Sequence, residues 1–135
     1  MNKLSVKADI SYLDEVLSFT AECTEHLPAK LQNQLAIAVE EIFVNIAHYA
    51  YPRERTDGYA DIIFDENNRE IVITFIDGGI PYNPLEKTDP DVNLGFEERE
   101  IGGLGIFMVK KITDGMTYEY IGKKNVFTIK KLKNS

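Results

Sequence analysis

A chain of 135 residues can bury one core but hardly two, which predicts a single domain over residues 1–135. With 44% hydrophobic and 27% charged residues it has the composition of an ordinary folding domain, which excludes disordered and fibrous classes. The formal net charge of −7 argues against direct nucleic-acid binding, and a lone cysteine, Cys23, excludes an intramolecular disulfide and a cysteine zinc cluster.

Leu4 to Ala8 alternates like a short strand, and Ser11 with Asp14 resembles a cap before the helical spacing of Tyr12, Leu13, Val16, Leu17 and Phe19. Pro28 suits a first helical turn, and the run from Ala29 to about Tyr49 has no internal Gly or Pro, which predicts the longest helix. Tyr51-Pro52 ends it. Two β-rich runs follow, YADIIFDE and EIVITFID, separated by Asn67-Asn68 and read as a hairpin. From Gly78 to Gly103 the chain is rich in Gly, Pro and charge without a period, as functional lids tend to be. Leu104 to Ile112 reads as a helix, and MTYEYIG with KNVFTIKKL closes the chain as a hairpin around Gly122-Lys123. The order predicts an α+β fold, a two-layer sandwich with helices on one face of a mostly antiparallel, mixed sheet. No stretch nears the roughly 20 apolar residues of a membrane span, and the N-terminus lacks the apolar run of a signal peptide, so no membrane partner and a cytoplasmic location are expected.

Three places carry chemistry. At about 100° per residue, Leu31, Leu35, Ala38, Ile42, Ile46 and Tyr49 form one apolar stripe of the long helix, with Glu41 and Asn45 along its edge and Glu40 nearly opposite. An Asn amide oxygen can ligate Mg²⁺, and a carboxylate one turn away can deprotonate a hydroxyl; the same spacing also suits the polar flank of an amphipathic helix. In ITFIDGGIPYNP a strand ends at Asp77 and two glycines follow: a carboxylate able to accept from an adenine 6-amino group beside backbone a base could approach, or else a tight turn. In EREIGGLGIFMVKKI, Gly102, Gly103 and Gly105 lead into a helix whose exposed N–H groups suit an anion. There is no Walker loop and no Rossmann fingerprint.

Taken together, these elements resemble the GHKL ATPase superfamily and its Bergerat ATP-binding fold. EEIFVNIAHYAY joined to DGGIPYNP and GGLGIFMVKKITD is similar, over nearly the whole chain, to the stand-alone anti-sigma-factor serine/threonine kinases. Sensor histidine kinases fit less well: they usually carry a glycine where Pro81 stands, and His26 and His48 lack the context of a phosphorylated histidine. The resemblance implies ATP and Mg²⁺ as cofactors, with Asn45 holding the metal, Glu41 as general base toward a protein serine and Asp77 reading adenine. It further implies that Gly79, Gly103, Leu104 and Gly105 shape the pocket and that Thr128 reaches the adenine region. Departure from the family is expected in the lid segment EKTDPDVNLGFEERE, where Arg99, set among acids, is the only arginine placed to meet the γ-phosphate. As partners it implies a homodimer, a sigma factor and an anti-sigma antagonist phosphorylated on serine or threonine. A non-catalytic module that regulates a partner by nucleotide-dependent ordering of the lid would carry the same motifs, as would an orphan ATP-hydrolysing or histidine-kinase-like domain.

Overall fold

The computed structural model describes residues 1–52, 55–86 and 103–134. The elements run β1 (Asn2–Lys7), α1 (Leu13–Thr24), α2 (Ala29–Asn45), β2 (Tyr59–Glu66), β3 (Glu70–Asp77), α3 (Gly103–Ile112), β4 (Gly115–Ile121) and β5 (Lys124–Leu132). This is the predicted order. The five strands form one sheet, β1, β2, β3, β5, β4, in which every neighbouring pair is antiparallel, so the sheet of the described residues is not mixed.

Alternation along the strands decides which residues meet the helices. Ile71, Ile73, Phe75 and Asp77 of β3 and Asn125, Phe127, Ile129 and Lys131 of β5 are buried, while their neighbours face the other way. On the covered side Ile62, Ile73, Phe75, Phe127 and Ile129 join Val16, Leu35, Ala38, Ile42, Ile106 and Val109 in one core. Each such large side chain contributes about 1.5–3 kcal/mol on burial, so the core rather than helix propensity holds the layers together. The opposite sheet face carries the half-buried Thr74, Ile76, Val126 and Thr128.

On α2, Leu31, Leu35, Ala38, Ile42 and Ile46 are buried as the stripe predicts. Val39 and Phe43 are buried too, because α2 packs against both α1 and α3 as well as the sheet, which widens its apolar face. Two local readings need correction. Ser11 does not cap α1: its hydroxyl donates to Asp9 at 2.7 Å, and a single 3₁₀ turn over Ile10–Tyr12 leads into the helix. Nor does α2 run on as a regular helix to Tyr49, since Ile46–Ala50 forms a π turn, a local widening often found at functional sites. Tyr51 is then extended, as a residue before proline must be. At the far hairpin Gly122 and Lys123 have φ of 61° and 62°, the left-handed pair of a type I′ turn whose twist matches the strands.

Candidate nucleotide site

The π turn after α2, the C-terminal end of β3 and the start of β5 meet at one end of the sheet. Asp77 is the last residue of β3, on the inward face, and sits in register with Asn125 of β5. The residue is 4% exposed, and its Oδ1 accepts from the Gly79 N–H at 2.9 Å and from Asn125 Nδ2 at 2.8 Å. Burial pushes its pKa up, and those two donors pull it back toward the ionised form. Gly79 is there for space: a Cβ would lie 2.1 Å from the carbonyl oxygen of Ala50, which itself accepts from the Ile80 N–H at 2.8 Å. Tyr51 ties the same corner, its hydroxyl donating to the Tyr59 carbonyl at 2.7 Å and accepting from the N–H of Tyr59 at 3.1 Å and of Gly78 at 2.8 Å.

Asn45 closes α2 and is 2% exposed. Its Nδ2 donates back to the Glu41 carbonyl at 2.8 Å, while Oδ1 is buried with no hydrogen-bond partner. Leaving such an acceptor unpaired costs about 1–3 kcal/mol, which a cation or donor at that place would recover. Asn45 and Asp77 line the same cavity, of about 20 Å³, together with Ala50, Tyr82, Tyr118, Asn125 and Phe127. Among the described residues no group of three or more His, Cys, Asp or Glu could cage a metal. What fits an ion such as Mg²⁺, which takes few protein ligands and keeps water and phosphate oxygens for the rest, is the unpartnered Asn45 oxygen.

Glu41 stands one turn before Asn45, its carboxyl pushed up by burial and by neighbouring Glu40. Both glutamates are half-buried, so exposure does not separate them as their helical positions suggest it should. What separates them is α3: a Cβ on Gly105 would come within 1.9 Å of Glu41 Oε2, so the helix start lies directly against that carboxylate. Gly103 is the first residue of α3 and Leu104 the second. Gly102, Arg99 and most of the lid stretch lie outside the described residues.

Thr128 is the one expected site residue that the described structure places elsewhere. It pairs with Thr74 and Thr117 across the sheet, on the face turned away from the helices. The place beside Asp77 belongs to Asn125. Strand parity held that signal, since Asn125 shares a face with Phe127 and Ile129 and Thr128 does not. Tyr51, Tyr82 and Tyr118 carried no comparable sign, because their contacts arise from segments distant in sequence.

A sheet with helices on one face, a buried acid and amide at one end and glycines where backbones or a carboxylate press close defines a class, the ATP-binding domains of GHKL type. The chain belongs to the histidine kinase-like ATPase domain family, whose sequence model matches residues 6–131. Among solved structures it is similar to the histidine kinase domain of a blue-light activated histidine kinase from Erythrobacter litoralis, with TM-score 0.57 and 13% identity over 92% of this chain. The chain spans 60% of that structure. It also aligns with the catalytic domain of the histidine kinase ThkA, at TM-score 0.48 and 13% identity over 98% of each chain. At such identity the likeness to the first of these is one of fold. No curated protein sequence matches the chain.

Proposed function

We propose that this chain is an ATP-dependent serine/threonine protein kinase that acts in the cytoplasm on a separate protein, an anti-sigma antagonist, and that it binds a sigma factor as a homodimer in the alternate state. The carrying observation is the buried, unpartnered Oδ1 of Asn45 one helical turn from the Glu41 carboxylate. Asn45 would hold Mg²⁺ through that oxygen. Asp77, already oriented by Gly79 and Asn125, would accept from the exocyclic amino group of adenine. Glu41, with its pKa raised toward the working range of a base, would take the proton of the attacking hydroxyl. Bound Mg-ATP would supply the phosphoryl group and the charge neutralisation around it. The family's model and the likeness in fold support nucleotide binding; the serine/threonine specificity and the partners rest on the resemblance in EEIFVNIAHYAY and GGLGIFMVKKITD.

The test is transfer of labelled γ-phosphate from Mg-ATP to candidate antagonist proteins, with Glu41→Gln as the matched control. Acid-stable label on a serine or threonine, lost in the variant, is the expected result. Tight nucleotide binding with no transfer to any of them would make the chain a binding module instead, and acid-labile label would point to a histidine acceptor.

A further inference from the structure

The end of the pocket that holds Asp77 is closed as well as built. Asn125, 4% exposed, joins every part of the closure. Its Nδ2 donates to Asp77 Oδ1 at 2.8 Å and to the Ile80 carbonyl at 2.7 Å. Its Oδ1 accepts from the Tyr82 N–H at 3.1 Å and from the Tyr118 hydroxyl. The Tyr82 N–H also reaches the Tyr118 oxygen at 3.2 Å, and the Tyr82 ring stacks on Tyr49 of the π turn with centroids 5.5 Å apart and planes 24° apart. Within the strap of residues 80–83 fastened in this way, Tyr82 lines the cavity of about 20 Å³ beside Asp77 and Asn125. Small-molecule pockets run to roughly 300–1,000 Å³, so a cavity of this size admits a purine to Asp77 only if its lining moves.

Resting on the nucleotide reading above, we propose that Asn125 is a positioning residue that couples the hold on Asp77 to the opening of the 80–83 strap, and so sets the rate at which the base is admitted. One side-chain amide serves both purposes. Its Nδ2 keeps the Asp77 carboxylate aimed, while its Oδ1 pins the strap through Tyr82 and Tyr118. The nucleotide binds the open form, and its apparent affinity is reduced by the fraction of molecules that are closed.

Tyr118→Phe is the clean perturbation, because the hydroxyl touches the strap and Asn125 but makes no bond to Asp77. Stopped-flow mixing of the full chain with a fluorescent ATP analogue and Mg²⁺ should show association about 2- to 10-fold faster than wild type, the effect of one hydrogen bond lost from the closed form. Without any nucleotide, the Tyr82 amide should exchange its hydrogen faster. Asn125→Ala should also speed association, and in addition speed dissociation, because Asp77 keeps only the Gly79 N–H of its two donors. Association in Tyr118→Phe equal to or slower than a wild type that does bind overturns the strap proposal and leaves the nucleotide reading standing. So does an unchanged Tyr82 exchange rate in both variants. A wild type that binds no analogue overturns the nucleotide reading itself, and the strap's role with it.

Discussion

The two ends of the site are built on opposite terms. Around Asp77 the polar atoms are bound to one another: carboxylate to Gly79 and Asn125, Tyr51 hydroxyl to Gly78 and Tyr59, Ala50 carbonyl to Ile80. Around Asn45 a buried acceptor has no partner, and a half-buried carboxylate with a raised pKa lies against a glycine. The first end is part of what holds the fold together. The second is held in place by the fold at some cost, and strain of that kind gathers where chemistry is done. Substitutions at the first end should therefore move stability, and those at the second should move activity.

The sharpest break between the ends comes from Glu41→Gln. Phosphoryl transfer should fall by about 10²- to 10⁴-fold, as for loss of a positioned base, with the melting temperature nearly unchanged. A residual rate within about threefold of wild type would remove Glu41 from the chemistry. The acid limb of the wild-type transfer rate should lie above the ordinary glutamate value, since burial and Glu40 raise this carboxyl and activity is lost as falling pH protonates it. The same shift means that the folded chain binds this proton more tightly than the unfolded chain, so ionising Glu41 lowers stability as pH rises through that range.

Gly79→Ala comes next, at the Asp77 end. The added Cβ meets backbone at Ala50, which cannot swing aside, so about 1–3 kcal/mol or more of stability should be lost along with nucleotide binding, read by thermal unfolding and calorimetry. Gly105→Ala is its counterpart at the other end. There the obstacle is the tip of the Glu41 side chain, which can move; transfer should drop while unfolding shifts less than for Gly79→Ala. Equal melting losses in the two variants would erase the distinction.

A milder pair compares amides. Asn125→Ala takes from Asp77 one of its two donors, from the Tyr82 N–H one of its two acceptors and from the Ile80 carbonyl its bond to this amide, and should cost about 1–3 kcal/mol in denaturant unfolding. Asn45→Ala removes an acceptor that nothing satisfies, so it should cost less, yet it should weaken Mg-ATP binding more than it weakens Mg-free binding. The smallest effect is expected at Thr128→Val, on the far sheet face: stability within about 0.5 kcal/mol of wild type, and unchanged nucleotide affinity.

The same contrast governs what could be read from the sequence. The strands YADIIFDE and EIVITFID stand where alternation puts them, and the stripe from Leu31 to Ile46 is buried as spacing predicts. Asp77 and its glycines are visible because strand end and turn chemistry adjoin in the chain. The partner of Asp77 is not, because it arrives by sheet pairing from another part of the sequence; the family resemblance points to Thr128, whereas parity along β5 puts Asn125 beside Asp77. The π turn is not legible either, since Ile46–Ala50 has the composition of ordinary helix, and the bond from the Ile80 N–H to the Ala50 carbonyl joins it to a segment 30 residues on.

The register that sets Asp77 against Asn125 joins residues 48 positions apart. No fragment ending before β5 can therefore assemble the acid-amide pair, however well its helices and first hairpin form. Closing so long a loop is slow, while lengthening it further adds only about 0.6 kcal/mol per doubling. On the proposed reading, recognition of the base would be a property of the finished sheet, acquired late in folding, and a longer connection would in itself cost it little.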